Sequence, residues 1–373
     1  MNKTRLIATL ATSAVAVAAL AACGPPEKGG SASTSKAATA TSAADIGGMS
    51  GLEKAANAEG KLNVIALPPN WANYGNVIKA FQKKYPKIKI TSAQPDAASQ
   101  DEVNAAKQLK GKSSAPDVFD LGQQVLLANT DLYAPYKVST WADVPDTFKD
   151  ASGAWINDYG GYMSIGYDSA KVDPVTSVDD LLKPAYKGKV ALNGDPTQAG
   201  AAFSGVVMVA LSQGGSADDV SKGVDFFAKL KKAGNFLPLD VTPSTIESGQ
   251  TPVVIDWDYL NAAVAKTLPT WKTVVPGDQP VAGYYAQAIS KDAPHPAAAR
   301  LWEEFLYSDE GQNLWLGGGA RPVRADAMVK AGTIDKTAYA ALPPVNGTPV
   351  VVSQAQADKA ATYLAANWAK ATS

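Results

Sequence analysis

The chain has one cysteine, one histidine and almost no surplus charge of either sign across 373 residues. A single cysteine excludes an intramolecular disulfide. The lone histidine, His295, stands between Pro294 and Pro296, which argues against a histidine-based triad or a histidine-ligated metal centre. With 34 Lys and Arg against 35 Asp and Glu, there is no basic excess to neutralise phosphates, so no nucleic-acid partner is expected. No internal repeat or adhesive array is evident. Long apolar runs are also missing except over residues 6–19, which follow Lys3 and Arg5 and are too short for a stable membrane span.

Residues 1–22 therefore read as an export signal. They end in Leu20-Ala21-Ala22-Cys23-Gly24, which resembles the lipobox of bacterial lipoproteins. That resemblance implies acylation of Cys23 and cleavage just before it, so the membrane is a partner through the Cys23 lipid. Cleavage removes two basic residues, leaving 32 Lys and Arg against 35 Asp and Glu, a formal charge of −3. Residues 23–50 are rich in Gly, Ser, Ala and Thr without apolar periodicity, and are expected to be a flexible tether with a reach of about 30 Å.

From residue 51 the pattern is that of an α/β protein. Residues 51–60 form a helical approach, 61–67 a strand, 77–81 the apolar stripe of a helix, and 87–90 an alternating strand. A helix over 102–109 and a short buried strand over 116–121 follow. This order predicts a largely parallel sheet whose strands are joined by right-handed crossovers. A second α/β segment has strands at 189–192 and 252–255 and helices at 199–211 and 224–232. Residues 161–167 and 282–289 read as extended crossings between the two segments.

Two stretches carry a family resemblance. Asp179-Asp180-Leu181-Leu182-Lys183-Pro184-Ala185-Tyr186-Lys187-Gly188-Lys189 resembles the D-L-x-x-P-x-Y-K-G-K signature of polyamine- and ferric-iron-binding periplasmic proteins. Ala293-Pro294-His295-Pro296, continued through Trp302 to Phe305 and Ser308 to Gln312, is similar to a second segment of that superfamily. The resemblance implies the solute-binding protein of an ABC importer, with a type II fold of two lobes on a strand hinge that close on a ligand. The expected division is 51–162 with 285–318 in one lobe and 163–284 with 319–373 in the other. A monomer without cofactor or catalytic activity, delivering solute to a membrane permease, is implied.

By the same resemblance, five loops and one rim arginine face the cleft. Trp71 and Tyr74 follow the first strand, and fit either ligand contacts or a packed pair at a helix start. Gln123 offers an amide or belongs to a plain turn. In 193–200, Asp195 fits an amine acceptor or a helix cap, and Gln198 stands where polyamine binders have an acid. Trp257, Asp258 and Tyr259 follow a buried strand, and alternation sets Trp257 opposite Asp256 and Asp258. Tyr284 and Tyr285 lie on the second crossing, and Arg321 suits an anionic substituent or the surface. Acids and aromatics favour a polyamine-like cation or a zwitterion. An aminophosphonate or ferric iron is the alternative ligand, and a secreted carboxylate-dependent hydrolase the alternative of another class.

Overall fold

The computed structural model describes residues 32–373; the export signal, Cys23 and the first part of the expected tether lie outside the described residues. Among the described residues, no helix is long and apolar enough to cross a membrane. The described chain opens with helices α1 (Ala32–Thr39) and α2 (Gly48–Glu59). Then β1 (Lys61–Ile65), α3 (Tyr74–Lys84), β2 (Lys89–Ala93), α4 (Ser99–Gln108), β3 (Val118–Gly122) and α5 (Gln123–Ala128) alternate. After a short β4 (Tyr133–Ala134) comes β5 (Ile156–Asp168), the longest strand. A second group comprises β6 (Val190–Leu192), α6 (Gly200–Ser212), α7 (Ser221–Ala233), α8 (Pro243–Glu247), β7 (Val253–Trp257), α9 (Asp258–Thr267) and β8 (Trp271–Val274). The chain finishes with β9 (Val281–Ser290), α10 (Pro296–Leu306), α11 (Asp309–Gly317), β10 (Arg321–Pro322), α12 (Ala325–Ala331), α13 (Lys336–Ala340), β11 (Val350–Val351) and α14 (Gln354–Thr372).

Local chemistry explains these elements. Tyr74, Val77 and Phe81 recur along one stripe of α3 and are all buried. α6 is apolar on every side because β5 and β7 cover one face and α7 another. α2 and α7 both stop at a glycine, Gly60 and Gly234, whose left-handed conformation lets the cap N–H close the last turn. All five residues of β7 are buried, as a central strand covered on both faces requires.

β5 organises the molecule. Its first part pairs antiparallel with β9 up to Tyr162, and its last part pairs antiparallel with β7 from Met163 and with β8. On the first side, β9 also takes β3 and β4, with β1 and β2 alongside; on the second, β7 pairs in parallel with β6. The expected largely parallel sheet is thus replaced by a mixed one. Among the described strands, only β1 with β2, β6 with β7 and β11 with β9 run parallel. The strands that link the two sides run against their neighbours, because the chain returns along β9 in the direction opposite to β5.

Two other expectations change. Residues 32–50 are not free tether: Ala37 and Ala40 are buried against the globule. The buried Arg300 of α10 donates from Nε to the Ala40 carbonyl at 2.9 Å and from Nη2 to the Ala38 carbonyl at 3.1 Å. A guanidinium without a carboxylate partner needs such acceptors, and small alanines let the backbone approach it. Residues 319–373, expected together in the second lobe, also divide. β10 pairs with the first part of β5, and Leu316 of α11 packs with Met328 and Ile334, whereas α14 packs on α7.

Candidate functional site

A cavity of about 320 Å³ opens where the two sides meet along β5 and β9. Trp71, in the loop after β1, forms one wall, with its ring edge-on to Tyr285 at 5.5 Å. Tyr285 stacks on the buried Tyr159 at 5.7 Å with the planes 6° apart. Trp257, at the end of β7, also lines the cavity and stacks on Tyr259 at 6.2 Å. Gly283 allows this approach, since a Cβ there would overlap the Trp257 indole. Phe148 and Tyr284, 4.5 Å apart, close a further side.

Three acids line the cavity: Asp96 is exposed at its edge, while Glu102 of α4 and Asp120 of β3 sit in the wall. Both are buried, and the Asp120 N–H donates to Glu102 Oε2 at 3.0 Å. Trp71 Nε1 donates to the Tyr159 hydroxyl at 2.8 Å, which donates onward to Asp120 Oδ2 at 3.0 Å. Behind them, Gln287 Nε2 reaches Asp120 Oδ1 at 3.2 Å, Asp158 Oδ2 at 2.9 Å and the Tyr74 hydroxyl at 3.0 Å. Burial pushes Asp120 up to about 7, against the hydrogen bonds it accepts. Glu102 and Asp158 lie well above the usual carboxylate range, first through burial and then through the neighbouring Asp120. No Lys, Arg or His lines the cavity among the described residues.

The structure brings Trp71, Gln123, Gln198, Trp257, Tyr284 and Tyr285 to this cavity. It does not bring the others. Tyr74 is fully buried under α3 in the Gln287 network. Asp195 is exposed, and its Oδ1 accepts from Thr197 N at 2.8 Å, a local turn contact. Asp258, the first residue of α9, is buried outside the cavity lining, taking the Tyr162 N–H at 3.0 Å and lying 3.4 Å from Arg321 Nη2. Burial raises it to about 6, with Arg321 acting in the opposite direction. Tyr259 is buried behind Trp257, its hydroxyl without a hydrogen-bond partner. Arg321 is held by Asp258 and by the Pro343 carbonyl at 2.8 Å, away from the cavity. Asp256 is likewise internal, bonded by Asn193 Nδ2 at 2.8 Å and raised by burial to about 7. The recognition segment therefore offers its indole and withholds both acids: the pleat of β7 turns Asp256 away from Trp257, and Asp258 already belongs to the first turn of α9.

The acids at the cavity wall escaped the sequence reading. Asp120 lies inside a strand otherwise made of Val118, Phe119 and Leu121, and an acid within a buried strand is itself a signal of function. Glu102 gave no signal, because only the packing of α4 turns it inward. Val351, Val352 and Gln354, near the end of the chain, also reach the cavity and were not anticipated.

Residues 114–343 match the model of the bacterial extracellular solute-binding proteins. The chain belongs to that family. Members are transport binding proteins rather than enzymes, located outside the cytoplasmic membrane. This solute-binding protein is 28% identical over 149 residues to an Fe(3+)-binding periplasmic protein of Serratia marcescens, covering 38% of this chain and 42% of the relative. The match thus spans under half the length of that relative. An ABC transporter substrate-binding protein of Bradyrhizobium japonicum is similar in structure, with a TM-score of 0.66, 16% identity and coverage of 84% of this chain and 99% of that one. Iron-bound HitA from Pseudomonas aeruginosa gives 0.61 and 22% identity, over 83% of this chain and 99% of that one. The fold of this solute-binding protein is accordingly the type II periplasmic-binding-protein fold, with β5 and β9 as the strands between its lobes.

Proposed function

We propose that this protein is the receptor of an ABC importer for a small organic cation, or for a zwitterion with an ammonium end. Residues 51–162 with 285–342 form one lobe, and 163–284 with the C-terminal helix form the other. Cys23 carries the lipid that holds the protein to the outer face of the membrane, and the loaded protein docks as a monomer on its permease. One observation carries the ligand class: two buried carboxyls, Glu102 and Asp120, share the cavity wall with Trp71, Trp257 and Tyr285, and no basic side chain lines it. Buried carboxylates without a counter-ion are unfavourable, and an ammonium group from the ligand supplies the missing charge. The aromatic faces enclose its methylenes and attract the same cation.

Calorimetry tests this with wild type, Asp120→Asn, Glu102→Gln and Trp257→Ala against putrescine, spermidine, 2-aminoethylphosphonate and ferric citrate. Loss of the Asp120 charge is expected to weaken binding of a cation by about 2–5 kcal/mol, the range for a desolvated charge pair. Tight binding of an anion, insensitive to all three substitutions, removes the reading. Ferric iron is the second reading, supported by the relatives whose names carry iron and by Tyr285 and Asp120, hard oxygen donors on one cavity. Tyr284 and Tyr285 are adjacent on β9 and alternate in direction, so one strand does not present both phenols to one ion.

A further inference from the structure

The C-terminal residues 344–373 lie beyond the stretch that matches the family, yet they supply Val351, Val352, Gln354 and Ala357 to the cavity. Two backbone bonds fasten this segment to the loop that leads into β9. Thr348 N donates to the Asp278 carbonyl at 3.1 Å and Val350 N to the Pro280 carbonyl at 2.9 Å, and β11 then runs parallel to β9 beside Val281 and Ala282. α14 follows directly. Its far end is rooted in the second lobe, where Trp368 packs edge-on against Phe227 at 5.0 Å and Leu364 is fully buried. Gln356 Nε2 adds a bond to Asp218 Oδ2 at 3.0 Å. α14 also touches α5, which belongs to the other lobe. The segment therefore bridges the cleft, anchored by aromatic packing on one side and resting on the other.

Two details fit a contact that forms and breaks. Val351 is 57% exposed at the cavity mouth, an apolar side chain awaiting cover. The Gln354 side-chain oxygen is buried with no hydrogen-bond partner, while its amide nitrogen is held by Asp358 at 2.6 Å. An unsatisfied buried carbonyl opposes the closed contact and is relieved when the segment lifts. We propose that residues 344–373 are a strap that travels with the second lobe, closes over the bound solute and sets how fast it leaves. The proposal rests on the cavity being the solute site, and not on the charge of the solute.

Gly347 provides the lever for a test. It has a φ of +76°, and a Cβ there would overlap the Asp278 carbonyl that receives the strap's first bond. Gly347→Val should detach the strap at its root while leaving the rest of the cavity lining and the Trp368 packing in place. Hydrogen exchange of residues 348–357 is measured on wild type and Gly347→Val, alone and with putrescine, 2-aminoethylphosphonate or ferric citrate, beside stopped-flow tryptophan fluorescence for dissociation. In wild type without solute the strap amides should exchange faster than those of β7, and a bound solute should protect them. In Gly347→Val that protection should vanish, and dissociation should accelerate by about tenfold, since changes at a contact surface act mainly on the off-rate. Strap amides as protected as β7 without solute overturn the proposal, whichever probes bind. Unchanged dissociation in a variant whose strap exchange has risen overturns it too. A strap response to iron or to an anion alone leaves the strap standing and defeats the cation reading.

Discussion

Asp120 occupies a wall where its charge is opposed by burial and supported by the neutral groups Tyr74, Tyr159 and Gln287. With its carboxyl raised to about 7, it is neutral below that pH and charged above it. A cationic solute should therefore bind more weakly as the pH falls from 8 to 6, and titrations in buffers of different ionisation enthalpy should record proton release on binding near pH 7. Equal affinity across this window would mean that Asp120 does not meet the cation. The stability of the empty protein has the opposite sign. Asp120 and Asp256 near 7, Glu59 near 7 and Glu303 near 8 are all raised by burial, so the folded state binds protons more tightly than the unfolded one. The stability they contribute is full below about pH 4 and is lost as pH rises through 7 to 8. Thermal unfolding without solute should have a lower midpoint at pH 8 than at pH 5, each 1 kcal/mol lost lowering it by about 2–4 °C in a domain of this size. Putrescine at pH 8 should restore part of the difference.

Among the elements, α1 and α10 depend on one another through Arg300. Its three donor groups meet the carbonyls of Ala40, Ala38 and Pro296, and its guanidinium lies over the Tyr136 ring at 5.5 Å. Deleting the chain up to Gly47 would strip two of those acceptors and leave a buried cation short of partners. Such a loss costs about 3–5 kcal/mol, and urea unfolding of the truncated protein should show it. Arg300→Met in the truncated chain should recover much of the loss, because a similar apolar volume then needs no acceptors. If truncation leaves the unfolding midpoint unmoved, residues 32–47 belong to the tether after all. The sequence reading made that choice because Ala, Ser and Thr without periodicity signal neither helix face, and the acceptors that order them are backbone carbonyls invisible in side-chain pattern.

At the scale of the whole molecule, β5 and β9 are the lines along which the lobes meet, and the cavity lies on both. Closure on solute is expected as a rigid-body movement about these strands. Small-angle scattering should record a smaller radius of gyration at saturating cognate solute, and an unchanged radius would count against a hinge. The proposed anchor at Cys23 has a test of its own. Cys23→Ser should abolish acylation and release the protein from the membrane fraction, whereas a variant that stays lipidated would sink the lipobox reading.

The sequence alone determined the family, the α/β character and the aromatic half of the cavity, because short motifs, strand periodicity and the position of aromatics after buried strands are local properties. Trp71, Trp257 and Tyr285 were legible for that reason, and so was the alternation of Asp256 with Trp257, whereas its expected continuation to Asp258 stops where α9 begins. Only the tertiary structure decided which side of that alternation faces the cavity. Asp258 and Asp256 turned inward to the packing, while Glu102 and Asp120, on the consecutive elements α4 and β3, came together to supply the acids. The same holds for the last thirty residues, whose place across the cleft follows from Trp368 docking on Phe227 and from two bonds to the loop leading into β9. Long-range packing of this kind leaves no periodic trace in the chain, since each contact is specified by a partner more than fifty residues away.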